Sequence, residues 1–424
     1  MTLAETEKKI ERAFATHTPM WQRFQSDFAQ ASSKTSETLS NVYSRQYSHV
    51  YAQRLAMLKP RCWEAVPEDA ARVSRVLDLR EDSMCVVVGT LVKDCESPTD
   101  EPIHPQSECR DSDVLFLEDE SGRVILATEN VHQWCTGVVV AVQGVVKDGG
   151  VMHVEKFYAP TAAPSLAIEG EMKSPSHDNS LSPHVMLISG LNAGDPSVCS
   201  LARDMLLGYL EGQLTPDAAK ICRVIIAGNS ASSTAFGVGE LGGWIAQVCA
   251  AGIPVDLIPG VDDPTTANWP QRPLHSSLLK YSGSFLDKGL LSRTPNPFAC
   301  GLGKKYVIGT DGRNVSDLQK YLATREKTFT PLEALRESLR WQHVCPTGPS
   351  SVPTVPHGET DPMVLVNTPH LYFAGNCESF ATELVEQGDM ETRLVTVPKF
   401  AETGEVVLVN LDTLDCELVR FDDK

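Results

Sequence analysis

The sequence lacks three features that would place it in large classes of protein. No apolar run reaches the roughly 18–20 residues of a membrane-spanning helix, and the first residues, MTLAETEKKIERAF, are charged, unlike a secretory signal. None of the 12 cysteines forms a C-x-x-C pair, and the closest two, Cys85 and Cys95, are ten residues apart. We therefore expect no membrane contact, no cofactor or metal centre of the chain's own, and reduced, buried thiols.

The sequence is also short of basic residues. It has 37 Lys and Arg against 55 Asp and Glu, which gives a formal net charge of -18, and no basic block is longer than a pair. A protein that binds a phosphate backbone by itself normally presents a basic face. We therefore expect DNA to be bound only weakly or through a complex, and we expect the partners to be proteins.

The first 165 residues show two patterns. Residues 1–70 are helix-like, whereas residues 75–165 contain short β-branched segments separated by turn residues such as Glu120-Ser-Gly. Five such segments are typical of a small all-β barrel, and their number suits an OB-fold. The predicted strands are Met84–Val92, Val114–Leu117, Val124–Ala127, Gly137–Val146 and Met152–Phe157.

A polar, proline-containing linker at residues 169–183 precedes a different pattern. From residue 184 to 424 apolar strands alternate with helices, one of which starts at a capping box, Thr330-Pro-Leu-Glu333. This alternation predicts an α/β domain whose functional residues lie in loops at the carboxyl ends of its strands. The predicted strands are Val185–Ser189, Val224–Ala227, Val255–Ile258, Tyr306–Gly309 and Leu371–Ala374, followed by strand-like alternation over residues 392–421.

One glycine pattern, Gly237-Val-Gly-Glu-Leu-Gly, matches the dinucleotide-binding form G-x-G-x-x-G. In that fingerprint the first glycine stands directly at a strand end, so that a pyrophosphate meets the start of a helix. Here nine residues separate Gly237 from Gly228, where the predicted strand stops. We interpret the pattern as a flexible loop and not as a cofactor site.

Four strands of the α/β part end in short glycine-containing turns. Glycine lets the chain turn sharply and lets backbones approach closely. In order, the turns are Ile188–Gly194, Ala227–Ser232, Pro259–Pro264 and Ala374–Glu378. Their order resembles the motifs D-x-H, G-D-x-x-D, G-N-H-[DE] and G-H-x-H of the calcineurin-like metallophosphoesterases, which hold two metals and activate a bridging water.

The resemblance to these enzymes stops at the metal ligands. The ligand positions are occupied here by Gly190, Asn192, Asn229, Ser232, Val261, Asp262, Asp263, Asn376 and Glu378. Glycine and valine supply no ligand, and the neutral oxygens of Asn and Ser bind transition metals poorly compared with imidazole or carboxylate. Three residues of the set keep a charged side chain, and none is histidine. The resemblance therefore implies an inactivated calcineurin-like phosphoesterase fold with no metal and no catalytic residue.

Further stretches narrow the family. The frame Pro259-Gly-Val-Asp-Asp-Pro, Trp269-Pro-Gln-Arg-Pro-Leu-His, Asn296-Pro and Gly309-Thr-Asp-Gly-Arg resembles the small B-subunits of replicative DNA polymerases. Within that family, the stretches Arg45–Leu55 and Leu339–Thr347 are most similar to the delta branch. The resemblance implies an OB-fold domain at residues 75–165 joined to an inactive phosphoesterase α/β domain at residues 184–424.

The same resemblance implies a function. Proteins of this family dock the C-terminal cysteine-rich domain of the polymerase catalytic subunit and bind a further accessory subunit. They act in the nucleus, in DNA replication and repair. Any zinc or iron–sulfur centre would then belong to the catalytic subunit, in agreement with the lack of C-x-x-C here. We therefore expect a non-catalytic scaffold subunit.

Two other functions stay open on the residues alone. A residual metal-dependent phosphoesterase or exonuclease would use Asp262, Asp263 and Glu378. Alternatively, the OB-fold would hold single-stranded DNA by itself, which requires aromatic platforms and a basic groove. The barrel segment offers few aromatic residues, so we expect weak binding at most. Those aromatic residues are Phe116, Trp134, Phe157 and Tyr158.

Overall fold

The computed structural model describes residues 25–26, 28–30, 45–94, 113–147, 149–166, 168, 172–173, 182–198, 200–324, 328–357 and 360–421. Its helices are α1 (Ser48–Ala65), α2 (Ser200–Leu210), α3 (Ala235–Ala250), α4 (Gly283–Leu286), α5 (Arg313–Leu322), α6 (Pro331–Arg340) and α7 (Phe400–Thr403). Its strands are β1 (Gln25–Ser26), β2 (Phe28–Gln30), β3 (Arg72–Val73), β4 (Met84–Asp94), β5 (Val114–Asp119), β6 (Gly122–Ala127), β7 (Val139–Lys147), β8 (Val151–Tyr158), β9 (Met172–Lys173), β10 (His184–Ile188), β11 (Ile221–Ala227), β12 (Val255–Ile258), β13 (Leu291–Arg293), β14 (Phe298–Leu302), β15 (Lys305–Thr310), β16 (Leu371–Cys377), β17 (Ala381–Gln387), β18 (Met390–Pro398), β19 (Glu405–Asn410) and β20 (Cys416–Arg420).

The predicted barrel is formed by five strands of a six-stranded sheet, whose sixth strand, the two-residue β3, pairs with β4. Its strands follow the order β4-β5-β6-β8-β7, and β7 pairs back onto β4, which removes the open edges. Alternation places one set of side chains inside, as in β5, where Leu115 and Leu117 are buried and Val114 is exposed. Helix α1 covers the outer side of β4 and β7 with Leu58 and Cys62.

The α/β part is a sandwich of two six-stranded sheets, in the orders β13-β12-β11-β10-β19-β20 and β17-β18-β16-β15-β14-β2. Apolar side chains from both sheets meet in one core, for example Ile225 against Phe373. Helices α2 and α3 cover the outer face of the first sheet, and α5 and α6 cover that of the second. Both faces of β11 are therefore covered, which explains why its seven residues are all buried.

The capping box at the start of α6 forms as predicted. The Thr330 side chain accepts a hydrogen bond from the Glu333 N–H at 3.2 Å, and the Glu333 carboxylate accepts one from the Thr330 N–H at 2.8 Å. Pro331 fills the first helical position, where no N–H is needed. None of the helices in the described parts of the chain is both long and apolar enough to cross a membrane.

The predicted N-terminal helical segment, residues 1–70, contains one described helix, α1. Residues 25–26 and 28–30 are strands instead, because β1 pairs with β9 and β2 pairs with the edge strand β14. Such long-range pairing cannot be read from local sequence. Residues 1–24, 27 and 31–44 of that segment lie outside the described residues, as does most of the linker at 169–183.

The C-terminal residues with strand-like alternation form β18 in the second sheet and the hairpin β19–β20 in the first.

Aromatic packing and one lysine join the barrel to the sandwich. The Trp134 ring of the barrel stacks on Trp341, which follows α6, at a centroid distance of 6.1 Å, and also packs on Phe157 at 4.6 Å. The buried Lys93 donates from Nζ to the Tyr321 carbonyl at 2.7 Å, near the C-terminus of α5. A cation at that helix end is favoured by the helix dipole.

Arg54 of α1 lies at the centre of the same junction, fully buried. Its Nε donates to Asp361 Oδ2 at 2.9 Å, and its terminal nitrogens donate to three carbonyls at 2.7–3.1 Å. Those carbonyls belong to Gly137, Pro346 and Gly348. The guanidinium therefore joins a helix, a barrel turn and loops of the sandwich.

His343 completes this group. Its Nδ1 accepts from the Cys345 N–H at 3.1 Å, so the ring proton stands on Nε2, which donates to Asp361 at 2.9 Å. Burial, with Arg54 nearby, lowers the pKa of His343 to about 4, and the ring is neutral. Burial opposes ionisation of Asp361, yet His343 and Arg54 hold its pKa well below the ordinary value. The carboxylate stays charged and pairs with Arg54.

Replacing Arg54 by methionine should destabilise the whole chain. The change leaves the buried Asp361 carboxylate without its cationic partner and three buried carbonyls without their guanidinium donor. Removing one member of a buried pair costs about 3–5 kcal/mol in comparable cases. Chemical denaturation of the purified chain measures this loss. Arg75→Ala is the matched control, because Arg75 makes a bidentate but exposed pair with Asp78. Its loss should leave the stability close to that of the wild type, because solvent screens an exposed pair. Equal stabilities of the R54M variant and the wild type would contradict this role.

Candidate functional site

The four glycine-containing turns meet at one edge of the sandwich. Strands β10, β11 and β12 run parallel and adjacent, so their carboxyl ends lie together. The Gly190 N–H donates to the Gly228 carbonyl at 3.0 Å, and the Gly228 N–H donates to the Ile258 carbonyl at 3.0 Å. The fourth turn comes from the opposite sheet, where the Asn376 N–H donates to Ser189 Oγ at 2.8 Å. The sequence placed these turns correctly.

Neighbouring atoms closely surround two glycines of these turns, and one of them, Gly190, stands at a predicted ligand position. Gly190 has φ +59°, and a Cβ there would lie 2.9 Å from Asn376 Oδ1 and 3.1 Å from Lys399 Cβ. Gly228 has φ +80°, and its Cβ would lie 2.5 Å from Asp311 Cβ. Both conformations favour glycine over any L-residue. The structure therefore has no room for a carboxylate at Gly190.

Three asparagines of the predicted set share an unusual backbone conformation. Asn192, Asn229 and Asn376 have φ of 43°, 50° and 51°, in the left-handed region that Asn tolerates better than most residues. Asn376 also donates from Nδ2 to the carbonyls of Ala227, at 3.1 Å, and Asp311, at 2.9 Å. The three residues set the shape of the turns, and Asn376 also links the two sheets.

The two aspartates at the third turn have different roles. Asp263 is buried, and its carboxylate accepts from the N–H groups of Gly260, Ser230 and Ala231 at 2.8, 2.9 and 3.2 Å. Burial raises the pKa of Asp263, whereas these donors favour its charged form. The carboxylate braces two turns against each other.

Asp262 is exposed and makes a reciprocal pair with Asn229. The Asn229 amide donates from Nδ2 to Asp262 Oδ2 at 2.8 Å, and the Asp262 N–H donates to Asn229 Oδ1 at 3.2 Å. Ser232 lies in hydrogen-bond contact with the Thr234 hydroxyl at 3.0 Å. Val261 and Glu378 are exposed, with Val261 showing 52% of its surface. The structure thus gathers most of the predicted positions but leaves Val261 and Glu378 facing solvent.

Sequence reasoning missed a buried polar group beneath the turns. Asp311 follows β15 and is buried. Burial raises the pKa of its carboxyl to about 6, although hydrogen bonds from the Asn296 amide and the Arg313 N–H favour the charged form. Asn296 also donates to Gln271, and Gln271 donates to the Gly260 carbonyl at 2.8 Å. All three residues lie in stretches that resemble the B-subunits, but nothing local signals that they are buried.

The described residues hold no group of three or more His, Cys, Asp or Glu side chains that could bind a metal ion.

The interpretation of the glycine pattern at Gly237 as a loop is wrong. The pattern forms the first turns of α3, and Thr234 caps that helix by accepting from the Gly237 N–H at 3.0 Å. The pattern hid the helix because three of its six residues are glycine, a poor helix former.

Substituting a turn glycine tests whether the turns leave space for a side chain. Gly228→Ala puts a Cβ 2.5 Å from Asp311 Cβ at a positive φ, and we expect a loss of at least about 2 kcal/mol of unfolding free energy. Gly243→Ala is the matched control, because a Cβ at this helical position meets nothing within 4 Å. It should raise stability by about 0.5–1 kcal/mol. A stable Gly228→Ala variant would mean that the site is open.

Two family models match the chain in consecutive segments. The model described as the DNA polymerase delta subunit OB-fold domain matches residues 46–157, which include α1 and the barrel. The model described as the DNA polymerase alpha/epsilon B-subunit matches residues 185–382, which include the four turns. The barrel prediction and the resemblance to the B-subunits are confirmed.

Curated relatives match over most of their own lengths. The DNA polymerase delta subunit 2 of Drosophila melanogaster is 33% identical over 89% of this chain and 94% of its own. The DNA polymerase delta small subunit of Oryza sativa subsp. japonica is 31% identical over 89% of this chain and 93% of its own. A solved archaeal phosphodiesterase covers 56% of this chain and 98% of its own at 8% identity, but its TM-score of 0.32 is too low to assign a fold. The chain belongs to the family of DNA polymerase delta small subunits.

Proposed function

We propose that the chain is a non-catalytic accessory subunit of DNA polymerase delta that acts in the nucleus, in DNA replication and repair. It docks the C-terminal cysteine-rich domain of the catalytic subunit and binds a further accessory subunit. In this proposal residues 75–165 are the OB-fold domain, residues 184–424 are a calcineurin-like phosphoesterase domain that has lost its chemistry, and residues 1–70 precede both.

The closed packing of the strand-end turns carries the proposal. Two-metal hydrolysis needs several charged or imidazole ligands around a space that admits two cations, a water and a phosphate ester. At this site Gly190 and Gly228 are in backbone contact, and the Asp263 carboxylate is used by three N–H donors. The polar groups that remain hold the turns in place instead of facing a substrate.

The junction between barrel and sandwich supports a docking role. A scaffold must present surfaces from both parts in a fixed relation, which requires strong contacts between them. Arg54 and the Trp134–Trp341 stack provide such contacts. Both lie inside the molecule, so they leave its outer surfaces available for partners.

The rival phosphoesterase would rely on Asp262, Asp263 and Glu378. Asp263 points into the turns, where it accepts from backbone N–H groups, while Glu378 is exposed on the far turn. One carboxylate that faces the turns and two that face solvent do not form a ligand set. This arrangement favours the scaffold over the enzyme.

The purified chain should not hydrolyse phosphodiesters or nucleotide monoesters with Mn²⁺ or Mg²⁺. The reason is that no hydroxide nucleophile forms without a metal site. Release of p-nitrophenol from bis(p-nitrophenyl) phosphate measures this, with the Asp262→Asn variant as a control for contaminating enzymes. Metal-dependent turnover that co-elutes with the chain and disappears in D262N would overturn the proposal.

The chain should form a stable complex with the DNA polymerase delta catalytic subunit. Co-expression followed by size-exclusion chromatography measures the complex, and a catalytic subunit without its C-terminal cysteine-rich domain is the control. We expect the two full chains to co-elute and the truncated catalytic subunit to elute alone, because the docking contacts lie in that domain. Equal co-elution of the truncated form would place docking elsewhere.

A further inference from the structure

At one end of the second sheet of the sandwich, β17 is the last of the described strands. It pairs with β18 in unbroken register over seven residues, from Ala381 to Gln387. An edge strand leaves a row of N–H and C=O groups unpaired, and a further strand can bind to them. Proteins often block such edges with a proline or a bulge, and β17 has neither. The edge therefore offers a regular backbone to an extended polypeptide.

The two faces of β17 differ in what covers them. Helix α6 packs on one face, where Arg336 pairs with Glu383 at 3.2 Å. The opposite face carries Leu384, which is 42% exposed, and Glu386, which is also exposed. Neighbouring strands place paired side chains on the same face. An added strand would therefore bring its own side chains beside Leu384 and Glu386.

Strand β20 of the first sheet meets the beginning of this exposed face. There the Thr382 hydroxyl lies 3.6 Å from Cys416 Sγ. Leu384 and Glu386 lie two and four residues further along β17, and side chains of a strand alternate between its faces. The contact with β20 thus covers the first residue of this face and leaves the next two exposed to solvent.

The exposed face of β17 has an excess of negative charge. Glu386 stands directly opposite Glu391 of β18, and like charges in that position repel each other. Arg393 lies on the same face, opposite Leu384, but its guanidinium is 3.8 Å from the Asp415 carboxylate and is already paired. These residues contribute three carboxylates and one guanidinium. The balance attracts Lys and Arg side chains.

This charge also decides which kind of molecule fits the edge. A second copy of the chain would add negative charge, because each copy carries a formal net charge of -18. A nucleic acid would add phosphates, and it has no regular row of N–H and C=O groups to pair with a strand. A polypeptide with a basic side chain beside Glu386 and an apolar one beside Leu384 matches both positions. Because these two positions alternate on one face, the matching side chains are two residues apart.

We propose that β17 accepts an added β-strand from a partner polypeptide with the pattern basic–x–apolar, the basic side chain beside Glu386 and the apolar one beside Leu384. Backbone hydrogen bonds along the edge provide the affinity, and the two side-chain contacts fix the register. This inference rests on the proposed role as a scaffold subunit. It adds the edge at which a partner strand binds and the sequence pattern of that strand.

Fluorescence anisotropy of labelled peptides measures this contact on the full chain. The probe is the capped peptide TKTVTKT, whose pattern is the same in both directions and therefore suits a parallel or an antiparallel strand. Its counterpart is TETVTET. We expect the Lys probe to bind at least about tenfold more tightly than the Glu probe, because it neutralises Glu386 and Glu391. A Lys probe methylated on every backbone nitrogen should bind more weakly, since it cannot donate to the edge.

Glu386→Lys should reverse the preference between the two probes, because it places a cation beside the lysines of the first probe. Glu155→Lys is the matched control, since Glu155 is also an exposed glutamate on a strand, β8 of the barrel, and the net charge changes equally. It should leave the preference unchanged. Both side chains are exposed, so neither variant should lower the melting temperature.

An unchanged preference in Glu386→Lys, or equal binding of the methylated and unmethylated Lys probes, would overturn the added strand. Either result would reduce the binding to general attraction by an acidic protein. A dimer of the wild-type chain that Glu386→Lys dissociates in sedimentation would also overturn it, by assigning the edge to a second copy. Co-elution with the catalytic subunit reports separately on the proposed function, which stands if that complex forms while the probes fail.

Discussion

A guanidinium buried away from water must find an acceptor for nearly every N–H it carries, and Arg54 meets that demand only when three parts of the chain come together. Its acceptors are Asp361, a turn of the barrel and a loop of the sandwich. Neither part alone can satisfy it. The barrel and the sandwich are therefore joined by more than apolar contact, and Arg54 couples their unfolding together with the Lys93 hydrogen bond and the Trp134–Trp341 stack.

At the strand-end turns, too, polar side chains form hydrogen bonds with backbone groups. Asp263 satisfies three N–H groups of the turns, and Asn376 satisfies carbonyls of β11 and of the loop after β15. In these turns the side chains form hydrogen bonds with backbone N–H and carbonyl groups, and they do not face an open site. Through Asn376, the turns also connect the two sheets.

Much of this fold could be predicted because its signals are local. Strand periodicity, the capping box at Thr330 and the glycine turns each depend on a few neighbouring residues. The rest depends on residues that are distant in the sequence. Strand β2 forms because it pairs with β14. Arg54 has the sequence context of an ordinary polar helix residue, and its acceptors lie far away along the chain. The burial of Asp311, Asn296 and Gln271 was missed for the same reason.

The close packing of Gly190 also has a consequence for how the site can change over generations. An Asp at this position would place its Cβ 2.9 Å from Asn376 Oδ1, with the backbone at a φ of +59°. A first step towards a metal ligand at this turn would thus lower stability before any second ligand could reward it. Substitutions that build a ligand set here would therefore be epistatic, because each single change is unfavourable without the others.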